Sequence, residues 1–265
     1  MSWWQSVALA LLQGLTEFLP ISSSGHLVLL PVFAGWQDQG LAFDVAVHFG
    51  TLAAVLIYFR DDILAMAAGW FRQLAGRGAS AESRLAWAVI VGTLPLGLVG
   101  FLGHDWIEGN LRSALVIAGT TGGFGILLWL ADRYGAHRRD EDSLRPADAL
   151  LIGCAQVLAL IPGTSRSGIT MTAAMALGLT RSAAARFSFL LSIPAILAAT
   201  GLETWNLSRT AESVDWGMLA GAMLVSAVTA WLAIRLFLTF IERMGMWPFA
   251  LYRVVLSLVI LWFVI

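Results

Sequence analysis

The string Gln13-Gly14-Leu15-Thr16-Glu17-Phe18-Leu19-Pro20-Ile21-Ser22-Ser23-Ser24-Gly25-His26 gathers a carboxylate, three hydroxyls and an imidazole in one short stretch. A second string, Pro162-Gly163-Thr164-Ser165-Arg166-Ser167-Gly168-Ile169-Thr170, adds a guanidinium and further hydroxyls inside a glycine-bounded turn. Gln13 and Glu17 are spaced i, i+4, so a helix places them on one face. Glu17 suits a divalent cation, which takes hard oxygen ligands, and equally suits a general base. The bland alternative is a helix cap or a packing hydrogen bond. Ser22, Ser23 and Ser24, on a tight turn closed by Gly25, read as a nucleophile with phosphate ligands. Against that, serines also satisfy broken backbone. His26, two residues beyond Ser24, is an acid, base or nucleophile.

In the second string, successive backbone N–H groups of Gly163, Thr164, Ser165, Ser167 and Gly168 would form an anion nest. A helix beginning near Gly168 would add partial positive charge. Arg166 offers paired donors to a phosphoryl group. Glu17 is its protein-only alternative partner, in a structural ion pair. The chemistry that fits the two strings together is phosphoryl transfer. A metal and arginine would neutralise oxygen charge while a hydroxyl or imidazole attacks.

Something must hold these groups away from bulk water. Hydrophobic residues make up 58% of the 265-residue chain and charged residues 12%, against roughly 25% charged in average soluble domains. A bilayer is therefore the natural solvent. A net charge of −1 gives no reason to expect a nucleic-acid partner. The N-terminus lacks a basic n-region, and Gln13 and Glu17 interrupt its apolar run, so it does not read as a signal peptide. Six stretches approach the ~20 apolar residues that a spanning helix needs: Leu41–Phe59, Leu85–Leu102, Ser113–Ala131, Ala185–Leu202, Met218–Leu238 and Trp247–Ile265. Trp87, Trp106, Trp129, Trp205, Trp216 and Trp247 near their ends fit an aromatic belt.

The two chemistry-bearing strings lie in the apolar stretches that fail as spans, 1–36 and 147–181. Each is broken by proline, glycine and polar residues. Such backbone survives at membrane depth only inside protein or beside a water-filled cavity, so each reads as helix, polar turn, helix. Four arginines in 60–84 and four in 132–146, against single arginines in 103–112 and 203–217, make the first two connections cytoplasmic. Arg181 and Arg186 return the chain to that side, which makes 147–181 re-entrant. Gln13 and Ser22–Gly25 align with Gln156 and Ser165–Gly168 at an offset of 143. The expected fold is an all-α polytopic membrane protein built as an inverted repeat. It has six spanning helices and two re-entrant helix–turn–helix segments. The first repeat is 1–132, the second 147–265, and 133–146 is a cytoplasmic linker.

Other polar residues carry less. Asp44 and His48 share a helix face and either line a cavity or pair with each other. His104, Asp105 and Glu108 read as an external loop, and Arg138–Asp142 as a solvated one. Cys154, the single cysteine, reads as a small packed residue.

At the strings QGLTEFLPISSSGH and PGTSRSG the chain resembles the bacterial undecaprenyl-diphosphate phosphatase family, known also for bacitracin resistance. The Phe43-Asp44, Phe187-Ser188 and Pro248–Arg253 segments share the likeness, which covers essentially the whole chain. The resemblance implies hydrolysis of a C55 isoprenoid diphosphate to its monophosphate, recycling the lipid carrier of cell-wall synthesis. It implies an inner-membrane, multi-pass protein, a divalent cation (Mg²⁺ or Ca²⁺) on Glu17, and a site open to the periplasm. It leaves room for a homodimer. Glu17 matches the family's essential carboxylate, and Ser23 and His26 the nucleophile and its partner, in an order left open. Arg166 matches the phosphate-binding arginine. Gln13, Ser22, Ser24, Gly163, Thr164, Ser165, Ser167, Gly168 and Thr170 are expected around the substrate. Gln13 stands where some relatives carry glutamate, which places the metal's weight on Glu17. A flippase for a polyprenyl phosphate lipid is the alternative, since inverted repeats with midplane sites are transporter architecture. The type-2 phosphatidic-acid phosphatase pattern fails, because it needs histidine where this chain has Thr172.

Overall fold

A computed structural model describes residues 1–111, 113–209 and 215–264. Among the described residues there are eleven α-helices and no β-strand. In chain order they are α1 (Trp3–Thr16), α2 (Ser23–Ala34), α3 (Leu41–Tyr58), α4 (Arg60–Leu74), α5 (Ala81–Asn110), α6 (Ala114–Tyr134), α7 (Pro146–Val157), α8 (Arg166–Ala176), α9 (Arg181–Leu207), α10 (Trp216–Met244) and α11 (Trp247–Val264). Local chemistry sets many starts. Ser2 caps α1 in a capping box with Gln5. Ser113, Thr180 and Asp215 cap α6, α9 and α10 with side-chain oxygens, and Pro146 opens α7. Each cap satisfies an N–H group that a helix start leaves without an intrahelical partner.

Five helices are long and apolar enough to cross a bilayer: α3, α5, α6, α9 and α10. They coincide with five of the six expected spans, and the chain is a polytopic membrane protein. The sixth expected span, α11, is an 18-residue apolar helix. The broken stretches give α1 and α2 of 14 and 12 residues and α7 and α8 of 12 and 11. At 1.5 Å per residue the longest reaches about 21 Å, short of the ~30 Å hydrocarbon core.

The most enclosed of the five long helices is α9. Phe187, Phe189, Leu190 and Leu191 on it are buried. Phe18, beside Glu17, meets Phe189 edge to face at 5.2 Å between ring centroids, which ties the first turn to α9. Helix α1 packs on α10 and α7 packs on α5, while α3 crosses α9 and α6 lies along α11. Lipid tails are as apolar as leucine, so close packing rather than water exclusion drives such contacts. Glycines permit close approach in two of these pairs. A Cβ on Gly14 would lie 2.6 Å from the Ser226 carbonyl oxygen, and one on Gly153 2.4 Å from that of Gly92.

Four expectations change. Cys154, expected as a small packed residue, is exposed, because its neighbour Gly153 takes the close approach of α7 to α5. The 60–84 connection holds a helix, α4, whose Met66 and Gly69 are buried. Helix α5 continues through Asn110, so His104, Asp105 and Glu108 stand on helical backbone rather than in a loop. Their side chains, that of Trp106, and all of Arg112 lie outside the described residues. The Arg138–Asp142 run is only partly solvated. Arg139 binds Asp148 and the Leu177 carbonyl, and Glu141 accepts from Arg186 at 2.6 Å. The reason is electrostatic: Asp148 and Arg186 are largely enclosed and need partners of opposite charge.

Candidate active site

Both polar turns end in a serine held in left-handed backbone. Ser22 (φ 72°) is the N-cap of α2, and Ser165 (φ 68°) is the N-cap of α8. Their offset is the 143 of the sequence alignment. Gly25 and Gly168 therefore do not make the turns; both sit inside the helices that follow. Helix α8 starts at Arg166, two residues before the expected start, because the Ser165 hydroxyl accepts from the Gly168 N–H at 3.2 Å. The turns touch: the Ser167 hydroxyl donates to the Leu19 carbonyl at 2.9 Å.

Glu17, 8% exposed, is the hub. Its Oε1 accepts from Arg166 Nη2 at 2.9 Å. Its Oε2 accepts from Gln13 Nε2 at 2.9 Å and from the Ser23 hydroxyl at 2.6 Å. The Glu17–Arg166 ion pair, one of the two partnerships open to Arg166, is thus formed. Arg166 Nη1 is buried and has no acceptor among the described residues. One arm of the guanidinium holds Glu17, and the other still has its hydrogen bonds to give. A buried donor left so is costly unless a ligand completes it.

A cavity of about 250 Å³ opens at this hub. Glu17, Ser22, Ser23, Ser24, His48, Ser165 and Arg166 form its polar side. Leu96, Ala159, Leu160, Ala195, Ile196 and Ala199 form the apolar side, from α5, the end of the α7 arm and α9. The remaining expected residues stand behind this wall. Gln13 is fully buried beside Glu17. Gly163 and Thr164 present their carbonyls to Arg253. Gly168 lies in α8, and Thr170 shares a hydrogen bond with Ser188 at 2.7 Å.

His26 is also outside the cavity lining. Its Nδ1 lies 2.7 Å from the Ser22 carbonyl. A carbonyl only accepts, so Nδ1 carries the proton. Nε2 then accepts from the Tyr252 hydroxyl, and the two rings stack. A neutral imidazole so arranged has no free lone pair.

One contributor, Arg253, has no counterpart in the sequence reading, and His48 takes the cavity-lining alternative that its spacing left open. His48 faces the cavity with Nε2 3.9 Å from Glu17. Its Nδ1 donates to the Asp44 backbone carbonyl, while the Asp44 carboxylate accepts from Gln39. The two thus share a helix turn without pairing side chains. The i, i+4 spacing was a visible signal for His48, but nothing in it selected Glu17 as its neighbour. Arg253, fully buried, donates to the carbonyls of Pro20, Thr120, Thr121, Gly163 and Thr164. It joins both turns to α6.

Among the described residues, no group of three or more His, Cys, Asp or Glu is placed to hold a metal. What is present is one carboxylate, neighbouring hydroxyls and Gln13 Oε1, a buried oxygen without a partner. That donor set suits Mg²⁺, which commonly takes one or two carboxylates plus substrate phosphates.

Carboxylate, hydroxyl and guanidinium beneath an apolar wall define a membrane-embedded protein equipped to handle a phosphorylated lipid. The family described as "Bacitracin resistance protein BacA" matches residues 6–259, and this chain belongs to it. The chain is 60% identical over 257 residues to the undecaprenyl-diphosphatase of Hahella chejuensis, covering 97% of this chain and 96% of that protein. It is 57% identical over 260 residues to undecaprenyl-diphosphatase 2 of Stutzerimonas stutzeri (97% and 96%). It is 56% identical over 264 residues to the undecaprenyl-diphosphatase of Alteromonas mediterranea (100% and 99%).

Proposed function

We infer that this chain hydrolyses undecaprenyl diphosphate to undecaprenyl phosphate and inorganic phosphate. It thereby recycles the lipid carrier of peptidoglycan synthesis and confers bacitracin resistance. One observation carries the reading: Ser23, Glu17 and Arg166 form a continuous hydrogen-bonded line along one cavity wall, opposite an apolar wall that suits an isoprenoid.

In the mechanism we propose, the free arm of Arg166, the Arg166 and Ser167 N–H groups at the start of α8 and the hydroxyls of Ser24 and Ser165 hold the diphosphate. Glu17 takes the Ser23 proton as the hydroxyl oxygen attacks the terminal phosphorus. The phosphoanhydride bond breaks, and its bridging oxygen leaves on undecaprenyl phosphate. Water then attacks the phosphoserine, its oxygen bonding to phosphorus as the P–O bond to Ser23 breaks; Glu17 returns its proton to Ser23 Oγ, and both water protons leave with the phosphate. Ser23 is preferred to His26 as nucleophile because it touches Glu17 and the cavity, whereas both ring nitrogens of His26 are engaged. A divalent cation, Mg²⁺ or Ca²⁺, would be held by Glu17 and the Gln13 amide oxygen. It would supply neutralising charge to the phosphate oxygens.

We propose further that α1–α2 and α7–α8 are re-entrant hairpins and that α11 is the sixth span. The halves 1–132 and 147–265 then form an inverted repeat about the 133–146 linker. What supports this is the paired left-handed serines and the exchange of partners, with α1 on α10 mirrored by α7 on α5. The bilayer is the bacterial inner membrane. The cavity faces the periplasm, because Leu96, Ala195, Ile196 and Ala199 lie on the halves of α5 and α9 remote from the arginine-rich connections.

The test is phosphate release from undecaprenyl diphosphate by purified protein with Mg²⁺ or Ca²⁺. Wild type should release phosphate, and Glu17→Ala and Arg166→Ala should not. Undiminished release from both variants overturns the site. Transport of the lipid without hydrolysis overturns the activity in favour of a flippase. Chelation should stop release and added Mg²⁺ restore it; release that persists in chelator removes the cation from the reading.

A further inference from the structure

A second hollow of about 310 Å³, which shares no lining residue with the first, opens where α4, the start of α5 and the start of α7 meet. Its walls are Trp87, Ala88, Val91, Leu144 and Pro146, and its polar groups are Gln73 and Arg84. We propose that this groove binds an anionic phospholipid of the cytoplasmic leaflet, with the phosphate at Arg84 and the glycerol region against Trp87 and Val91.

The argument starts with α4. Leu64, Phe71 and Leu74 are 68%, 65% and 57% exposed, and their i, i+7, i+10 spacing puts them on one face. The opposite face packs on α5 through Met66 and Gly69, where a Cβ on Gly69 would meet the Ser83 nitrogen at 3.1 Å. A helix with one face on protein and another apolar face outward lies in the membrane interface rather than in water. It follows a spanning helix on the arginine-rich side, which fixes the leaflet.

Charge then selects the lipid. At its start, Asp62 is bound by Arg186 at 2.7 Å and Asp61 by Arg60 at 3.4 Å. At its far end, Arg72, Arg77 and Arg84 face a single acidic residue, Glu82. Arg77 and Arg84 form no ion pair among the described residues. The segment 60–84 is therefore compensated at one end, by Arg60 and by Arg186 of α9, and cationic at the other, beside the groove. Anionic head groups contribute about 1 kcal/mol for each arginine near the surface.

A second observation is independent of charge. Trp70 Nε1 and Gln73 Oε1 are both buried and both lack a partner among the described residues. They are a donor and an acceptor one helical turn apart on α4. Gln73 lines the groove, and the Trp70 ring stands 5.8 Å from that of Trp87, centroid to centroid. Of the two, only Gln73 lines the groove, so its amide oxygen is the group a ligand reaches, and a glycerol hydroxyl can donate to it. Phosphatidylglycerol offers that donor with a single negative charge, whereas phosphatidylcholine has no hydroxyl donor and no net charge.

Native mass spectrometry tests this on the full-length protein, equilibrated with phosphatidylglycerol or phosphatidylcholine and stripped by stepwise activation. Wild type should retain one phosphatidylglycerol after all phosphatidylcholine has left. Arg84→Gln should lower that occupancy about fivefold, the equivalent of one arginine at the surface. Arg133→Gln, an equal loss of charge at an exposed position elsewhere on the same face, should leave it unchanged. Val91→Phe, which narrows the groove and keeps the charge, should also lower it. Phosphate release from undecaprenyl diphosphate in neutral detergent should stay at the wild-type level in all three, reporting intact fold. Equal retention of the two lipids overturns the proposal, as does undiminished binding by Arg84→Gln. Loss by Arg84→Gln with full binding by Val91→Phe also overturns it, because the lipid is then held by surface charge outside the groove.

Discussion

The turn at Ser22 and the turn at Ser165 share a backbone and divide the chemistry. Each follows a short helix, each places serine at positive φ as the cap of the next helix, and each continues Ser-x-Ser-Gly. At the offset of 143, Glu17 corresponds to Leu160, Ser23 to Arg166 and His26 to Ile169. The carboxylate and its hydroxyl donor stand on one turn and the guanidinium on the other. The cluster needs both turns, and neither is a weakened duplicate of the other. The Glu17–Arg166 ion pair is the point where they meet. A buried pair of this kind contributes little net stability, and its retention is better explained by the site than by the fold.

The division of labour is most exposed to Arg166→Lys. Lysine keeps the charge but has one compact head, so it cannot hold Glu17 and a phosphate oxygen in fixed directions. Loss of one well-placed donor costs roughly 10²–10³-fold in turnover, and kcat/KM for undecaprenyl diphosphate should fall by that much. Activity within threefold of wild type would mean that the second turn supplies charge alone.

The next largest effect concerns what joins the turns. Arg253 donates to carbonyls from both, Pro20 on one side and Gly163 and Thr164 on the other. Arg253→Met fills the volume but leaves these carbonyls without their donor. Unsatisfied buried groups cost about 1–3 kcal/mol each. Removal of a buried cation offsets part of that, for a net loss of about 3 kcal/mol. Detergent-solubilised protein should show a clearly lower thermal midpoint, together with lost activity. An unchanged midpoint would mean that the turns hold their positions without Arg253.

How far all this was legible follows from where each partner lies in the chain. The helical content, the five long spans and the broken character of 1–36 and 147–181 depend on local composition, and the sequence pattern carries them. Glu17, Ser23 and Arg166 were legible because charged and hydroxyl groups are rare in an apolar chain. The turns themselves were not: glycine is the usual residue at positive φ, and attention to Gly25 and Gly168 passed over Ser22 and Ser165. The Tyr252 partner of His26 was hidden by distance, since it lies 226 positions away. Arg253 was hidden the same way, because its acceptors are carbonyls, which every residue carries. Helix α4 was hidden by its charges, which mark 60–84 only as a connection between spans.

His26 gives the third comparison, because its counterpart Ile169 carries no polar group. If His26 positions the Ser22 turn through the Ser22 carbonyl and Tyr252, another donor–acceptor side chain should partly replace it. His26→Gln should keep kcat within about tenfold of wild type, a barrier change of 1.4 kcal/mol or less. Ser23→Ala should lose far more. Equal, complete loss in both variants would return His26 to the reaction itself.

The smallest effect separates the two serines that the backbone makes equivalent. Left-handed backbone costs a non-glycine residue about 1 kcal/mol, so glycine at either position relieves strain. The side chains differ in what is lost. Both hydroxyls lie within reach of the serine two residues on, at 3.5 Å for Ser22–Ser24 and 3.3 Å for Ser165–Ser167, but only Ser165 caps its helix, accepting from the Gly168 N–H. Ser22→Gly should therefore stabilise by roughly 0.5–1 kcal/mol, less the entropy that glycine restores to the unfolded chain. Ser165→Gly gives back a cap contribution of a few tenths of a kcal/mol or more and should be neutral or slightly destabilising. Thermal midpoints measured side by side in one detergent decide the matter. If both rise equally, the Ser165 cap contributes nothing. If both fall, the strain at these turns is smaller than the contacts of either hydroxyl.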